Sequence, residues 1–166
     1  MNIINKHILH KFTPVFLLFA SILNEIDFNL EFKYFSFNFA YILIFYYSLK
    51  REGGIGYILI FIAGLFNDVV NGLPMGISSL SYLLLCAAAA YLRNITLRPN
   101  LIKDWIFFLI TVSFLNFFTF SYLIMFFNYE IDYFAQTINI IGTSIMYVVF
   151  SYIFRIYDNV ILSGSN

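Results

Sequence analysis

The sequence predicts an all-α fold: a polytopic transmembrane helical bundle of about six spans, with almost nothing outside the bilayer. Three observations point there. First, of 166 residues 61% are hydrophobic and only 11% are charged, against roughly 45–50% apolar and 25% charged in an average soluble domain. Second, mean hydropathy is +0.85, and folding hides only about 70% of the surface of a chain this long. A water-soluble fold would therefore leave much of this apolar surface wet. Third, the apolar runs are long and unbroken, as at 106–115. Spanning barrels use short alternating segments, so helices are the expected crossing element. Each takes about 20 apolar residues, and the chain has room for six. Net charge is zero, which leaves no basic footprint for nucleic acid.

The elements follow in order as one membrane domain, 1–166. Residues 1–11 are a short basic start. The first span, 12–30, is apolar to about Leu23 and then meets Asn24, Glu25, Asp27 and Glu31. No small-residue cleavage site follows it, so an uncleaved helix is expected rather than a signal peptide. The second span, 35–49, closes on Lys50-Arg51-Glu52-Gly53-Gly54. The third, 55–70, runs into Asn71-Gly72-Leu73-Pro74, a turn signal. The fourth, 75–92, is rich in small residues: Gly76, Ser78, Ser79, Ser81 and Cys86 to Ala90. Small residues let neighbouring helices approach closely. A polar connection from Arg93 to Asp104 contains Pro99. The fifth span is 105–127 and the sixth 134–157. Residues 158–166 end in Ser-Gly-Ser-Asn and are expected to be a short mobile tail.

Where the few charges fall predicts orientation. With six spans, Lys6, Lys11, Lys50, Arg51, Arg93, Arg98, Lys103 and Arg155 share one side, and only Lys33 lies on the other. Basic residues favour the cytoplasmic side, so both termini are expected there. Glu25, Asp27, Glu31, Glu130 and Asp132 fall on the far side. Trp105, Tyr91, Tyr129, Tyr133 and Tyr157 sit near span ends, where amphipathic rings settle.

Few residues offer chemistry. Cys86 is the single cysteine, expected as a small packing residue. His7 and His10 could share a helix face, but two imidazoles do not make a structural zinc site, and no metal is expected. Asp68 is the one acid well inside a predicted span, an expensive place for a carboxylate. Gly64, Asp68 and Gly72 recur at i, i+4 on one stripe, with Asn67 and Asn71 beside it. The structural reading has Asp68 accepting backbone N–H bonds at the following turn, favoured by the N-terminus of the fourth span. Ion coordination and catalysis are the weaker alternatives.

The segment carrying that stripe runs Ala63-Gly64-Leu65-Phe66-Asn67-Asp68-Val69-Val70-Asn71-Gly72-Leu73-Pro74-Met75-Gly76, followed by Ser79-Leu80-Ser81. It resembles the MreD family of rod shape-determining proteins. The resemblance implies a bacterial inner-membrane component of the cell-wall elongation machinery, without catalytic activity or cofactor. Its implied partners are a bitopic MreC-type protein, an MreB-type filament and the wall synthases. It also implies a fold like the substrate-binding subunits of energy-coupling vitamin transporters. Gly64, Asp68, Gly72, Pro74 and Gly76 would then be structural motif residues. Lys50, Arg51, Arg93, Arg98 and Lys103 form a basic set that could meet anionic lipid or a partner, or serve orientation alone. The alternative function is a small-molecule, vitamin-like binding subunit of a transporter. It calls for a cavity with convergent polar side chains, drawn from Asn67, Asp68, Asn71, Ser79 and Asn116.

Overall fold

A computed structural model describes residues 3–23, 37–50, 55–96, 100–129 and 132–163, with the side chains of 12–22 and 37–160 within those stretches. It is all-helical, with no strand among the described residues. The helices are α1 (Ile3–Leu23), α2 (Phe39–Lys50), α3 (Tyr57–Asn71), α4 (Ile77–Ile95), α5 (Leu101–Phe127) and α6 (Tyr133–Ser163).

The centre of the bundle is α2. Its nine residues from Ala40 to Ser48 are all buried, as expected of a helix that is apolar on every side. It is ringed by α1, α4 and α6, and Phe45 also reaches α5. The Phe45 ring stands edge-on to Phe108 at 5.0 Å and to Tyr147 at 5.6 Å, and those two rings stack at 4.4 Å. Asn38 starts the helix: its Oδ1 accepts the Tyr41 N–H at 3.1 Å, while its own N–H donates to Thr143 Oγ1 of α6 at 2.9 Å. This side-chain cap satisfies a donor that the first turn leaves open. α2, as described from Phe39 to Lys50, is one of the shorter apolar helices. By contrast, α5 and the Tyr133–Val160 stretch of α6 are long and apolar enough to cross a membrane.

Several boundaries differ from the sequence reading: α1 begins at Ile3, within the expected basic start, and α4 runs on to Ile95. Asn100 accepts the Ile102 N–H at 3.1 Å and starts α5 at Leu101. This draws Asp104 out of the expected polar connection and into the first helical turn, where it is buried. At the other end α6 continues to Ser163, through part of the stretch expected to be a tail. Val160, Ile161 and Leu162 keep the run apolar, and Asp158 accepts a hydrogen bond from Tyr46 of α2 at 3.2 Å. Thr13 of α1 and Tyr157 of α6 are joined at 3.0 Å, which ties α6 to the first helix.

Candidate functional site: the turn between α3 and α4

The most extensive helix pairing in the fold is α3 with α4. Gly64 is the reason the two can close. A Cβ built there would lie 2.3 Å from Ser79 Cα and 2.5 Å from Ser79 N. No side chain fits between those backbones. Ser79 Oγ donates to the Phe61 carbonyl at 3.0 Å, and Asn67 Nδ2 donates to Ser78 Oγ at 2.9 Å. Both hydrogen bonds cross the pair. Asn71 instead folds back on its own helix, donating to the Asn67 carbonyl at 3.0 Å.

The chain leaves α3 through Gly72, at φ 63. The Leu73 N–H bonds to the Asp68 carbonyl at 2.9 Å and the Gly72 N–H to the Val69 carbonyl at 3.4 Å. This 6→1 and 5→2 pair ends a helix by satisfying its last carbonyls. Pro74 then prevents any continuation. Its carbonyl accepts the Ile77 N–H at 3.4 Å, and Gly76, at φ 101, opens α4. Both glycines stand in open space. Their requirement is the left-handed backbone, which a Cβ disfavours.

Gly76 has no side chain with which to cap α4, and Asp68 supplies what is missing. Its Oδ2 accepts the Gly76 N–H at 2.7 Å and its Oδ1 accepts the Ser78 N–H at 2.9 Å. The carboxylate is fully buried. A helix N-terminus is the one place in an apolar interior where backbone alone offers both donors and a favourable field to an anion. Such charge-assisted bonds are roughly twice as strong as neutral ones. Asp68 thus caps α4 from α3, and both its oxygens are engaged by backbone. Gly64, Asp68, Gly72, Pro74 and Gly76 come together as one helix–turn–helix joint.

Of the basic set, Lys50, Arg93 and Lys103 lie among the described residues. Lys50 and Lys103 are exposed, at the end of α2 and in the first turn of α5. Arg93 is drawn inward and donates to the Ser48 carbonyl at 3.0 Å, satisfying a carbonyl near the end of α2. Arg51 and Arg98 lie outside the described residues, as do the side chains of His7 and His10. Cys86 sits between α2 and α4, 3.1 Å from Ser48 Oγ.

A cavity of about 440 Å³ opens between α3, α4 and α5. Its lining is mostly apolar, from Phe61, Leu80 and Phe118 among others, with Ser81 and Thr119 joined at 3.1 Å. None of Asn67, Asp68, Asn71, Ser79 or Asn116 lines it.

Sequence reasoning missed Asp104, which lies within electrostatic reach of Lys50. It also missed the Trp105 Nε1 bond to the Ser144 carbonyl at 2.8 Å. Asn100 following Pro99 was the available signal, since an N-cap residue there places Asp104 in the first turn.

No curated protein and no solved structure matches the chain. A family model described as rod shape-determining protein MreD matches residues 5–161, nearly the whole length. The chain, with its Asp68-capped joint and apolar helices, belongs to the MreD family of bacterial rod shape-determining proteins.

Proposed function

We propose that this chain works as a non-enzymatic scaffold of the cell-wall elongation complex in the bacterial inner membrane. In this reading the chain crosses the bilayer about six times, with both termini cytoplasmic. It contributes to rod shape by holding partners rather than by turning over a substrate. The observation that carries the reading is the engagement of Asp68. An acid this deep in the bundle is the natural candidate for chemistry, and here both its oxygens accept backbone N–H groups. Its geometry supports a structural role: it locks α3 against α4 and leaves their outward faces for contacts.

The partners in this reading are a bitopic MreC-type protein, an MreB-type filament and the wall synthases. Eight of the nine basic residues fall on one side of a six-span chain, which supports the cytoplasmic assignment of the termini. Lys50 and Lys103 remain exposed on that side to meet anionic lipid headgroups or a filament, while Arg93 is occupied within the bundle.

Depletion in a rod-shaped host tests the function directly. Cells should widen and round up as the protein is lost, and wild-type chain should restore their width. Depleted cells that keep normal width and elongation would overturn the reading. Attaching a reporter to each terminus tests the orientation separately, because both should report from the cytoplasm.

A further inference from the structure

Among the long helices, α5 is the one the bundle covers least. Only 22% of its most apolar 18-residue stretch is buried within the chain. Val112, Leu115 and Leu123 turn inward. Beside them runs a second stripe, Ile106, Ile110, Ser113, Phe117, Phe120 and Ile124, spaced 4, 3, 4, 3 and 4 residues apart. That spacing is the 3.5-residue period of a helix that packs along another helix. Phe117 is 73% and Ile110 58% exposed. Ser113, the small residue at the middle of the stripe, allows two backbones to approach closely.

Polar groups flank this stripe near the middle of the helix. Asn116 is half-buried. One of its amide hydrogens goes to the Val112 carbonyl of its own helix at 2.9 Å. Its Oδ1 meets no donor among the described residues. In hydrocarbon there is no water to take that role, and an unmet amide there is costly. Ser121, exposed on the other flank of the stripe, lies five residues further along. In two parallel helices packed at this period, the position before the seam on one helix faces the position five residues on in the other. Asn116 and Ser121 hold those positions.

We propose that a second copy of this chain packs along the α5 stripe, with Asn116 of each copy hydrogen-bonded to Ser121 of the other. Copies inserted alike in one membrane are parallel, and a two-fold axis along the membrane normal brings like depths together. The same patch then serves both partners, and both amides find the group they lack. The occupant is a second copy because both halves of the hydrogen bond, and the seam itself, are present in this one sequence.

Cross-linking in native membranes tests the packing. In a Cys86→Ala background, Ile110→Cys and Phe117→Cys should form disulfide-linked dimers under mild oxidation. Leu84→Cys, exposed on α4, should stay monomeric. Resonance energy transfer between labelled full-length chains in vesicles tests the polar contact. Asn116→Leu should lower the lipid dilution at half-dissociation by roughly five- to tenfold, the effect of two interhelical hydrogen bonds of membrane strength. Ser121→Ala, on an exposed site the fold does not need, should shift it the same way. Seam cysteines that cross-link no better than Leu84→Cys would overturn the proposal. So would cross-linking only to a different protein, or energy transfer unchanged by both substitutions.

Discussion

Replacing Asp68 by Asn tests the central joint with the least change of shape. Asparagine has the same volume, but one of its two terminal atoms is an N–H donor. In the native joint, Gly76 N–H and Ser78 N–H approach the two oxygens at 2.7 and 2.9 Å. Whichever way the amide turns, one of those N–H groups faces another donor. A buried donor left without its acceptor costs about 1–3 kcal/mol. Loss of the negative charge at the N-terminus of α4 removes about 0.3–1 kcal/mol more. The sum is about 1.3–4 kcal/mol. At roughly 2–4 °C per kcal/mol for a chain of this length, Tm falls by about 3–16 °C. The single cysteine supplies the assay. Cys86 is buried between α2 and α4, so its labelling by a thiol-reactive dye during heating reports opening of the bundle. An Asp68→Asn protein melting within about 2 °C of the parent would refute the capping argument. A variant that melts like the parent yet fails to restore rod shape would instead assign the carboxylate a chemical role.

Gly64→Ala should be at least as damaging, by about 3 kcal/mol, because the added methyl meets the backbone of Ser79 rather than a movable side chain; the same labelling assay reads it. Gly72→Ala should cost about 1–2 kcal/mol through the left-handed φ of 63 alone, since nothing crowds the site. Gly72→Asn should recover most of that loss, because asparagine tolerates this conformation at helix ends. Tyr82→Phe should leave Tm unchanged or raise it by about 2–4 °C, since the buried Tyr82 hydroxyl meets no hydrogen-bond partner among the described residues. A clear fall in Tm for that variant would mean the hydroxyl holds a group such as a bound water.

The joint at Asp68 was legible because its parts are local. Gly64, Asp68 and Gly72 share a stripe by helical spacing, and Asn71-Gly72-Leu73-Pro74 carries the chemistry of a turn. A polar residue inside an apolar run stands out, and the donors it needs lie within ten residues of it. Asp104 was not legible in the same way. It sits at the edge of a polar stretch, and only the start of α5 at Leu101, set by Asn100, turns it inward. The expected cavity lined by Asn67, Asp68, Asn71, Ser79 and Asn116 is not where the α3–α5 cavity lies. Asn67, Asp68 and Ser79 spend their hydrogen bonds across the α3–α4 contact, and Asn71 bonds back within α3.

By itself the sequence determined the class of fold, because apolar content and run length are sums over the chain that need no knowledge of contacts. It also determined where α3 ends, since Gly72 and Pro74 act on their own backbone. Only the tertiary structure decided which charges are occupied and which helix is central. Arg93 reads like any other basic residue until the Ser48 carbonyl, 45 residues away, is seen to meet it. α2 reads as one helix among six until its neighbours are seen to enclose it. These outcomes depend on partners far apart in the chain, and no local pattern encodes a distance between helices.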